Sequence, residues 1–580
     1  MTTTSGDKYR LKPLKPLIAS LVACLMLITT VAPAAENPAP VADTTLSPFG
    51  IGGDAHTNRT PEAYAKWIPQ MAEIGIHFNR TCATNWSAVE AEEGKWTWEV
   101  LDNQMRYLTD HGIGFGAILH GSGKWNTLDK PGTLPVNNLP AWSTYVSEVA
   151  KHVQGRVKYF EVWNEPPNGT GRNQTPADYA KIVVSAYDAV KAVDPTAKVG
   201  LAAKSVHVNY LDQAIRDGAK GHFDYVIFHP YEVLGGVVDN NGTEAIYMSI
   251  VPTVRKMLAA RDPANVNVPV IFTELGCDAK KGTDVQAQAV VKAYTMGIAQ
   301  GVTSINWFEG MDGDSGPMGL LDAKSKPRPA YTAMAQMIQH LGQNPVYLGW
   351  VLLNNKDYGF VFQGTKGTVL VTWAPKAEPD HVDFGQAVQI VDPVTGNATN
   401  ASTYELTASP ILVAGVPEPL VTQAQANKTQ PFPWGGDYTN AKSVSIIMGW
   451  KNIEKGLHTR LGDSIARDVV AYGGSARAGN IPGGNAFMVD PNFLSYTSTP
   501  IEISIVIRRD PTNHPAKIEL EYESTSGYKK LPVYEVPESR DWNTAKWKID
   551  DAQFVSMWGF NFRYNSGSYY VQSVTVTKLQ

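Results

Sequence analysis

The sequence predicts an α/β chain: a (β/α)8 TIM barrel, then a small β-domain, then a C-terminal β-sandwich. Three observations carry this. Between residues 47 and 340, short apolar runs alternate eight times with longer segments of helical period, the pattern of a parallel barrel. After residue 343 the helical period stops, and short strand-like runs separated by Gly, Pro, Asn and Asp replace it. Two of the barrel runs, Tyr159-Phe-Glu-Val-Trp-Asn-Glu-Pro166 and Pro269-Val-Ile-Phe-Thr-Glu274, end in a glutamate. A barrel strand that ends in a carboxylate places it on the C-terminal rim, where chemistry sits.

Each strand has its own mark. Phe49-Gly-Ile-Gly52 reads as strand one, and the helix Thr60 to Gly75 comes next. Ile76 to Arg80 is strand two, with the helix Trp98 to Gly112. Gly114 to His120 and Leu139 to Gly155 make the third pair, and Tyr159 to Glu165 with Pro176 to Val193 the fourth. Lys198 to Ala203 precedes a helix from Asn209 toward Gly218, and Tyr225 to Tyr231 precedes Ala245 to Ala260. Pro269 to Glu274 leads to Asp284–Gln300, and Ser304 to Glu309 to Pro329–Leu341. The small β-domain then draws on Val346–Leu353, Tyr358–Gln363, Thr368–Trp373, Gln389–Val391 and Ile411–Val413.

The ends of the chain read differently. Lys8, Arg10, Lys12 and Lys15, the apolar run Leu17 to Val31 and Ala32-Pro33-Ala34 have the three parts of a secretory signal peptide over residues 1–35. Leu21-Val-Ala-Cys24 resembles a lipobox, but the residues after Cys24 stay apolar, so a secreted or periplasmic protein is preferred to a lipid-anchored one. The barrel then spans 36–343 and the small β-domain 344–420. Val416-Pro-Glu-Pro419 leads into a polar stretch, Thr422 to Thr429, read as a linker. Residues 430–580 give another strand series, with Ile501–Ile507, Ala516–Tyr522 and Tyr569–Val576 its clearest members. Net charge is −5, which offers no footprint for nucleic acid or an anionic membrane. No apolar run after the signal segment is long enough to span a bilayer. Cys82 and Cys277 lie far apart with no C-x-x-C spacing, and are read as free thiols or as a bridge between loops.

The candidate site gathers at strand ends. Two carboxylates facing each other are the minimum equipment for breaking a glycosidic bond. Glu165 is the candidate general acid/base. It comes after Trp163 and Asn164, and Pro166 behind it lacks the N–H needed to continue a sheet. The amide of Asn164 suits a sugar hydroxyl. Glu274 is the candidate nucleophile, a role that needs an ionised carboxylate and a positive neighbour. Arg80, at the end of strand two behind the apolar Ile76 to Phe78, is the natural partner. His229 and Tyr231 end strand six beside strand seven: either Tyr231 bonds Glu274, or His229 does and Tyr231 lines the pocket. His120 is read as a hydroxyl ligand and Trp307 as a floor for a sugar ring. Trp86 and Trp125 are placed in loops that build further subsites, while Trp96 and Trp98 pack at a helix start. Glu309, Asp312 and Asp314 lie after strand eight and bind hydroxyls or form a solvated loop. The chemistry needs no metal and no organic cofactor.

Phe160-Glu-Val-Trp-Asn-Glu-Pro166, Phe228-His-Pro-Tyr231, Ile271-Phe-Thr-Glu274 and Ile305-Asn-Trp307 together resemble the clan A glycoside hydrolases, family 39 most closely and family 5 next. The stretch Glu90 to Trp98, with Arg80 and His120, fits the same pattern. The likeness covers about residues 47 to 340 and continues more weakly to 415. It implies a barrel, a carbohydrate substrate and double displacement with retention through Glu274 and Glu165. It implies carboxyls about 5–5.5 Å apart, rather than the wider gap an attacking water needs. It leaves sugar, linkage and oligomeric state open. The aromatics of the last domain, Trp434, Trp450, Trp558, Tyr569 and Tyr570, resemble those of carbohydrate-binding modules. Two rival readings are a carbohydrate-binding protein on a decayed barrel and a transglycosylase using the same residues. The presence together of both glutamates, Arg80, Asn164 and Tyr231 weighs against decay.

Overall fold

The structure, a computed structural model, describes residues 46–580 except 53–55, 130–131, 168–173, 240–241, 376–378, 434–435, 450–451, 461–475, 481–482, 556, 558–559 and 580. The predicted signal segment and Cys24 lie outside the described residues, as do Trp434, Trp450 and Trp558.

Eight parallel strands close into a barrel: β1 (Phe49–Gly52), β2 (Phe78–Thr81), β3 (Gly114–Leu119), β4 (Tyr159–Val162), β5 (Lys198–Ala203), β6 (Tyr225–Phe228), β7 (Val270–Leu275) and β8 (Ser304–Trp307). β8 pairs back onto β1, with Phe49 opposite Ile305 and Ile51 opposite Trp307. The glycines of β1 make that closure possible. A Cβ on Gly50 would sit 2.0 Å from Asn306 Oδ1, and one on Gly52 2.3 Å from the Thr273 carbonyl oxygen. The surrounding helices start where the sequence puts proline in the first turn behind a capping hydroxyl. Thr60 accepts from the Ala63 amide ahead of Pro61–Glu73, and Thr175 from Asp178 ahead of Pro176–Val193.

Several predicted boundaries move. β4 stops at Val162, not Glu165, because Trp163 and Glu165 take left-handed backbone (φ 67° and 50°) and leave the ladder. β6 stops at Phe228, and Tyr231 opens an unpredicted helix, Tyr231–Val238. The single helix expected over Ala245 to Ala260 is two, Glu244–Met248 and Ile250–Arg261.

The small β-domain is one antiparallel sheet in the order β13-β12-β14-β11-β10-β9. Its strands are β9 (Val346–Leu353), β10 (Asp357–Gly364), β11 (Gly367–Trp373), β12 (Asp380–Val391), β13 (Ala398–Leu406) and β14 (Ile411–Ala414). β13 has no counterpart among the predicted strands. It is an edge strand, exposed along most of its length, so it carries no apolar alternation to read. The predicted linker is also corrected. Glu418–Asn427 is a helix that buries Val421 and Ala424 against β9. Gly349 permits the approach, since a Cβ there would lie 1.7 Å from the Ala424 carbonyl oxygen.

The C-terminal region is a sandwich of two main antiparallel sheets. One contains Ser443–Ile447, Ile501–Arg509, Asn543–Ile549 and Tyr569–Lys578; the other contains Asn485–Val489, Leu520–Ser524 and Phe562–Tyr564. Ile501, Ile503, Ile505 and Ile507 alternate into its core with Val571, Val574 and Val576. The predicted strand Ala516 to Tyr522 divides: Ala516–Ile518 pairs with Tyr534–Val536, and Leu520–Ser524 joins the second sheet. The sandwich packs on the barrel helices. Buried Asp212 accepts from Arg261 Nε at 2.6 Å, from Arg216 and from the Tyr496 hydroxyl of the sandwich. Met488, Tyr496, Val555 and Met557 join the barrel's apolar core, as do Phe360 and Trp373 of the small sheet. Cys82 and Cys277 are free thiols. Among the described residues no helix is long and apolar enough to cross a membrane.

Candidate active site

Arg80, at the C-terminal end of β2, is buried and makes four side-chain contacts with oxygen. Its Nε and Nη2 donate to Glu161 Oε2 and Oε1 at 2.8 and 2.7 Å, a bidentate pair. Nη2 also donates to Asn164 Oδ1 at 2.8 Å, and Nη1 donates to Glu274 Oε1. One guanidinium therefore ties β2, β4 and β7 together at the rim. Glu161 is missing from the sequence-derived site. Its signal is legible all the same: a lone carboxylate inside the apolar run of β4, which must find a cation because an unpaired buried charge is too costly.

His229 stands between the two rim glutamates. Its Nδ1 lies 2.9 Å from Glu165 Oε1 and 3.7 Å from Glu274 Oε2, and its Nε2 lies 2.9 Å from Thr273 Oγ1. Tyr231 donates its hydroxyl to Glu274 Oε2 at 3.2 Å. Burial, then the charge of Glu274, holds the Tyr231 phenol well above its ordinary pKa, so it stays a donor. Burial works to lower the pKa of His229. The charge of Glu274 and the bond to Glu165 outweigh it, and the imidazole titrates above its ordinary value. Glu165 shows the converse. Burial would raise its pKa, but the hydrogen bond and charge of His229, with Lys204 and Arg80 behind them, bring it below the usual carboxylate range. Lys204, just past β5, is not among the sequence-derived site residues; nothing in its sequence context distinguishes it from a solvated lysine.

One oxygen of Glu165, one oxygen of Glu274 and a nitrogen of His229 all lie within 4.8 Å of one another. Three such groups can ligate a divalent cation. The same atoms already make the His229–Glu165 bond, so a cation there would displace it.

The other predicted residues fall into two sets. Asn164, Trp163 and His120 line a cavity of about 380 Å³. Trp163 rests edge-on to Trp142, with ring centroids 6.1 Å apart. Trp307 and Glu309 are instead fully buried. The Trp307 indole donates to the Met318 carbonyl at 3.2 Å, so the loop after β8 covers it and no face is open to a sugar ring. Asp312 binds Arg328, through Nη1 at 2.6 Å, and is a loop brace rather than a hydroxyl ligand. Trp86 is likewise core. It stacks on Tyr145 at 5.0 Å with no exposed surface, which removes it from any subsite. Trp125 is half-buried and donates to the Glu90 carbonyl at 3.1 Å. Trp96 and Trp98 stack on each other at a helix start.

No family model matches the chain, and no curated protein does. Among solved structures it is similar to a family 39 glycoside hydrolase from the gut symbiont Bacteroides cellulosilyticus. The TM-score is 0.52 and the sequence identity 18%, over 64% of this chain and 81% of that one. At that identity the likeness is one of fold: a closed eight-stranded parallel barrel. A monomeric β-xylosidase from Caulobacter crescentus aligns with a TM-score of 0.44 and 15% identity, over 92% of this chain and 97% of that one. The fold class expected from the sequence agrees with the first of these.

Proposed function

We propose that the chain is a retaining glycoside hydrolase, exported to act on an extracellular or periplasmic poly- or oligosaccharide. The observation that carries this is the pair of rim glutamates with oxygens within 4.8 Å of each other. That spacing fits direct attack by a carboxylate and leaves too little room for the water that an inverting pair must hold. The N-terminal basic, apolar and Ala-Pro-Ala segments support export.

Glu274 is the nucleophile. Arg80 on one oxygen and Tyr231 on the other fix its carboxylate, so that an oxygen faces the anomeric carbon. The C1–Oε bond forms as the glycosidic C1–O bond breaks, and Glu165 gives its proton to the departing oxygen. Water then attacks C1, Glu165 takes its proton, and Glu274 is released.

The lowered pKa of Glu165 looks wrong for an acid until His229 is counted. The two groups share one proton along a 2.9 Å bond, so they titrate as a pair. In the free protein the proton rests on His229. As negative charge develops on the leaving oxygen, it passes from Nδ1 to Oε1 and onward. The His229 pKa therefore sets the upper pH limit for the acid.

The test uses aryl glycosides and polysaccharides. Glu274→Gln abolishes turnover. Glu165→Ala loses far more on poor leaving groups than on activated aryl glycosides, and azide restores it through a glycosyl azide. The first-formed product anomer, read by NMR, has retained configuration. An inverted anomer, or equal losses on both leaving groups, rejects the mechanism.

A further inference from the structure

Thr273 precedes Glu274 on β7, and it is buried, as is His229. Its Oγ1 lies 2.9 Å from His229 Nε2, while the other ring nitrogen, Nδ1, is the one that meets Glu165. Charged groups face the ring on both sides. Glu165 Oε1 and Glu274 Oε2 lie 2.9 and 3.7 Å from Nδ1, and Glu161 Oε1 lies 3.9 Å from Nε2. Arg80 stands behind them, bound to both Glu161 and Glu274. Thr273 Oγ1 is the atom within hydrogen-bond distance of Nε2.

The proton shared by His229 and Glu165 has two resting places. On His229, it leaves both ring nitrogens carrying hydrogen. On Glu165, it makes the carboxyl a donor to Nδ1, which must then be bare, and the neutral ring keeps its hydrogen on Nε2. Nε2 is a donor in both states, so its neighbour must accept. A neutral ring with its hydrogen on Nδ1 has no proton to give, because giving it would leave an imidazolate. We propose that Thr273 is a positioning residue for the acid: its Oγ1 accepts from His229 Nε2 and keeps Nδ1 as the nitrogen that exchanges the proton with Glu165. The proposal rests on the glycosidase reading and deepens it. In the first step the proton goes from Nδ1 to Glu165 and on to the leaving oxygen. In the second, Glu165 takes a proton from water and Nδ1, still bare, receives it. Thr273 acts only through His229. Without its oxygen the buried Nε2–H is unpaired, and the acid loses about tenfold or more of its effect.

Two substitutions in the full-length chain test this. Thr273→Val keeps the shape of the side chain and removes the oxygen, and Thr273→Ser keeps the oxygen. On aryl glycosides with poor leaving groups Thr273→Val loses about tenfold or more in kcat/KM, and on activated ones it stays within about threefold of the unsubstituted protein. Thr273→Ser stays within about threefold on both. A loss from disturbed packing would fall on both leaving groups alike. NMR of protein labelled with 15N-histidine gives a second readout, the His229 signals being those absent from His229→Asn. Nε2 keeps its hydrogen throughout the titration of the ring in the unsubstituted and Thr273→Ser proteins, and loses it from the neutral ring in Thr273→Val. Equal losses on both leaving groups, no loss on either, a serine variant as impaired as the valine one, or a bare Nε2 in the neutral ring of the unsubstituted protein each overturns the proposal and leaves the glycosidase reading standing. Absence of turnover of every glycoside by the unsubstituted protein overturns both.

Discussion

Glu161→Gln tests the support beneath the rim. The carboxylate holds Arg80 by bonds of 2.8 and 2.7 Å, and both groups are buried. Removing one partner of a buried pair costs about 3–5 kcal/mol. Glutamine keeps one acceptor oxygen but turns an NH2 toward the guanidinium. Arg80 also retains Glu274 and Asn164, so the low end applies, about 3 kcal/mol. At about 2–4 °C per kcal/mol for a large domain, the melting temperature falls by roughly 6–12 °C. Arg80 is then held from one side only, and Glu274 and Asn164 lose their common anchor. A misplacement of about 1 Å is worth about 100-fold in rate, so kcat drops by about 10- to 100-fold with a smaller change in KM. Thermal melting and steady-state kinetics on an aryl glycoside turned over by the unsubstituted protein measure both. A variant melting within about 2 °C of its parent, with kcat within about threefold, refutes Glu161 as the support of Arg80.

Three further outcomes rest on other contacts. His229→Asn lowers the basic limb of the kcat/KM–pH profile, because the proton shared with Glu165 loses its higher-pKa holder; an unmoved limb sinks the shared-proton account. The same pair shapes stability. The raised His229 pKa stabilises the fold fully below about pH 6.5 and fades as pH rises through the folded value. The lowered Glu165 pKa stabilises it above about pH 4.3 and fades as pH falls through the folded value. His229→Asn therefore costs most stability between those limits, as denaturant titrations across pH would show. Gly349→Ala meets the Ala424 carbonyl at 1.7 Å with φ 146° and lowers stability by about 2 kcal/mol or more by forcing the helix off β9, while an unchanged denaturation midpoint denies that contact. Tyr496→Phe removes a hydroxyl from buried Asp212 and costs about 1–2 kcal/mol of sandwich docking, seen as faster proteolysis after residue 430; unaltered cleavage means the docking rests on apolar contact alone.

The barrel and its rim were legible because their signals are local. Strands buried on both faces must be continuous apolar runs, and a polar residue surviving at the end of such a run, as Arg80, Glu165, His229 and Glu274 do, marks a place where the chain meets the rim. The sandwich core was legible for the same reason in Ile501 to Ile507, where alternation writes the buried face directly. What the sequence could not decide depends on partners far along the chain. Whether Trp307 and Trp86 face a sugar or the core is settled by the loop after β8 and by Tyr145, not by anything beside them. The polar stretch after Pro419 becomes a helix because Gly349, some seventy residues earlier, leaves room for it. The left-handed backbone at Glu165 turns its carboxylate onto His229, and a pKa results from that approach and not from the residue itself. Composition and period fix which segments must be buried; which groups then meet, and with what charge between them, is set only when the strands close.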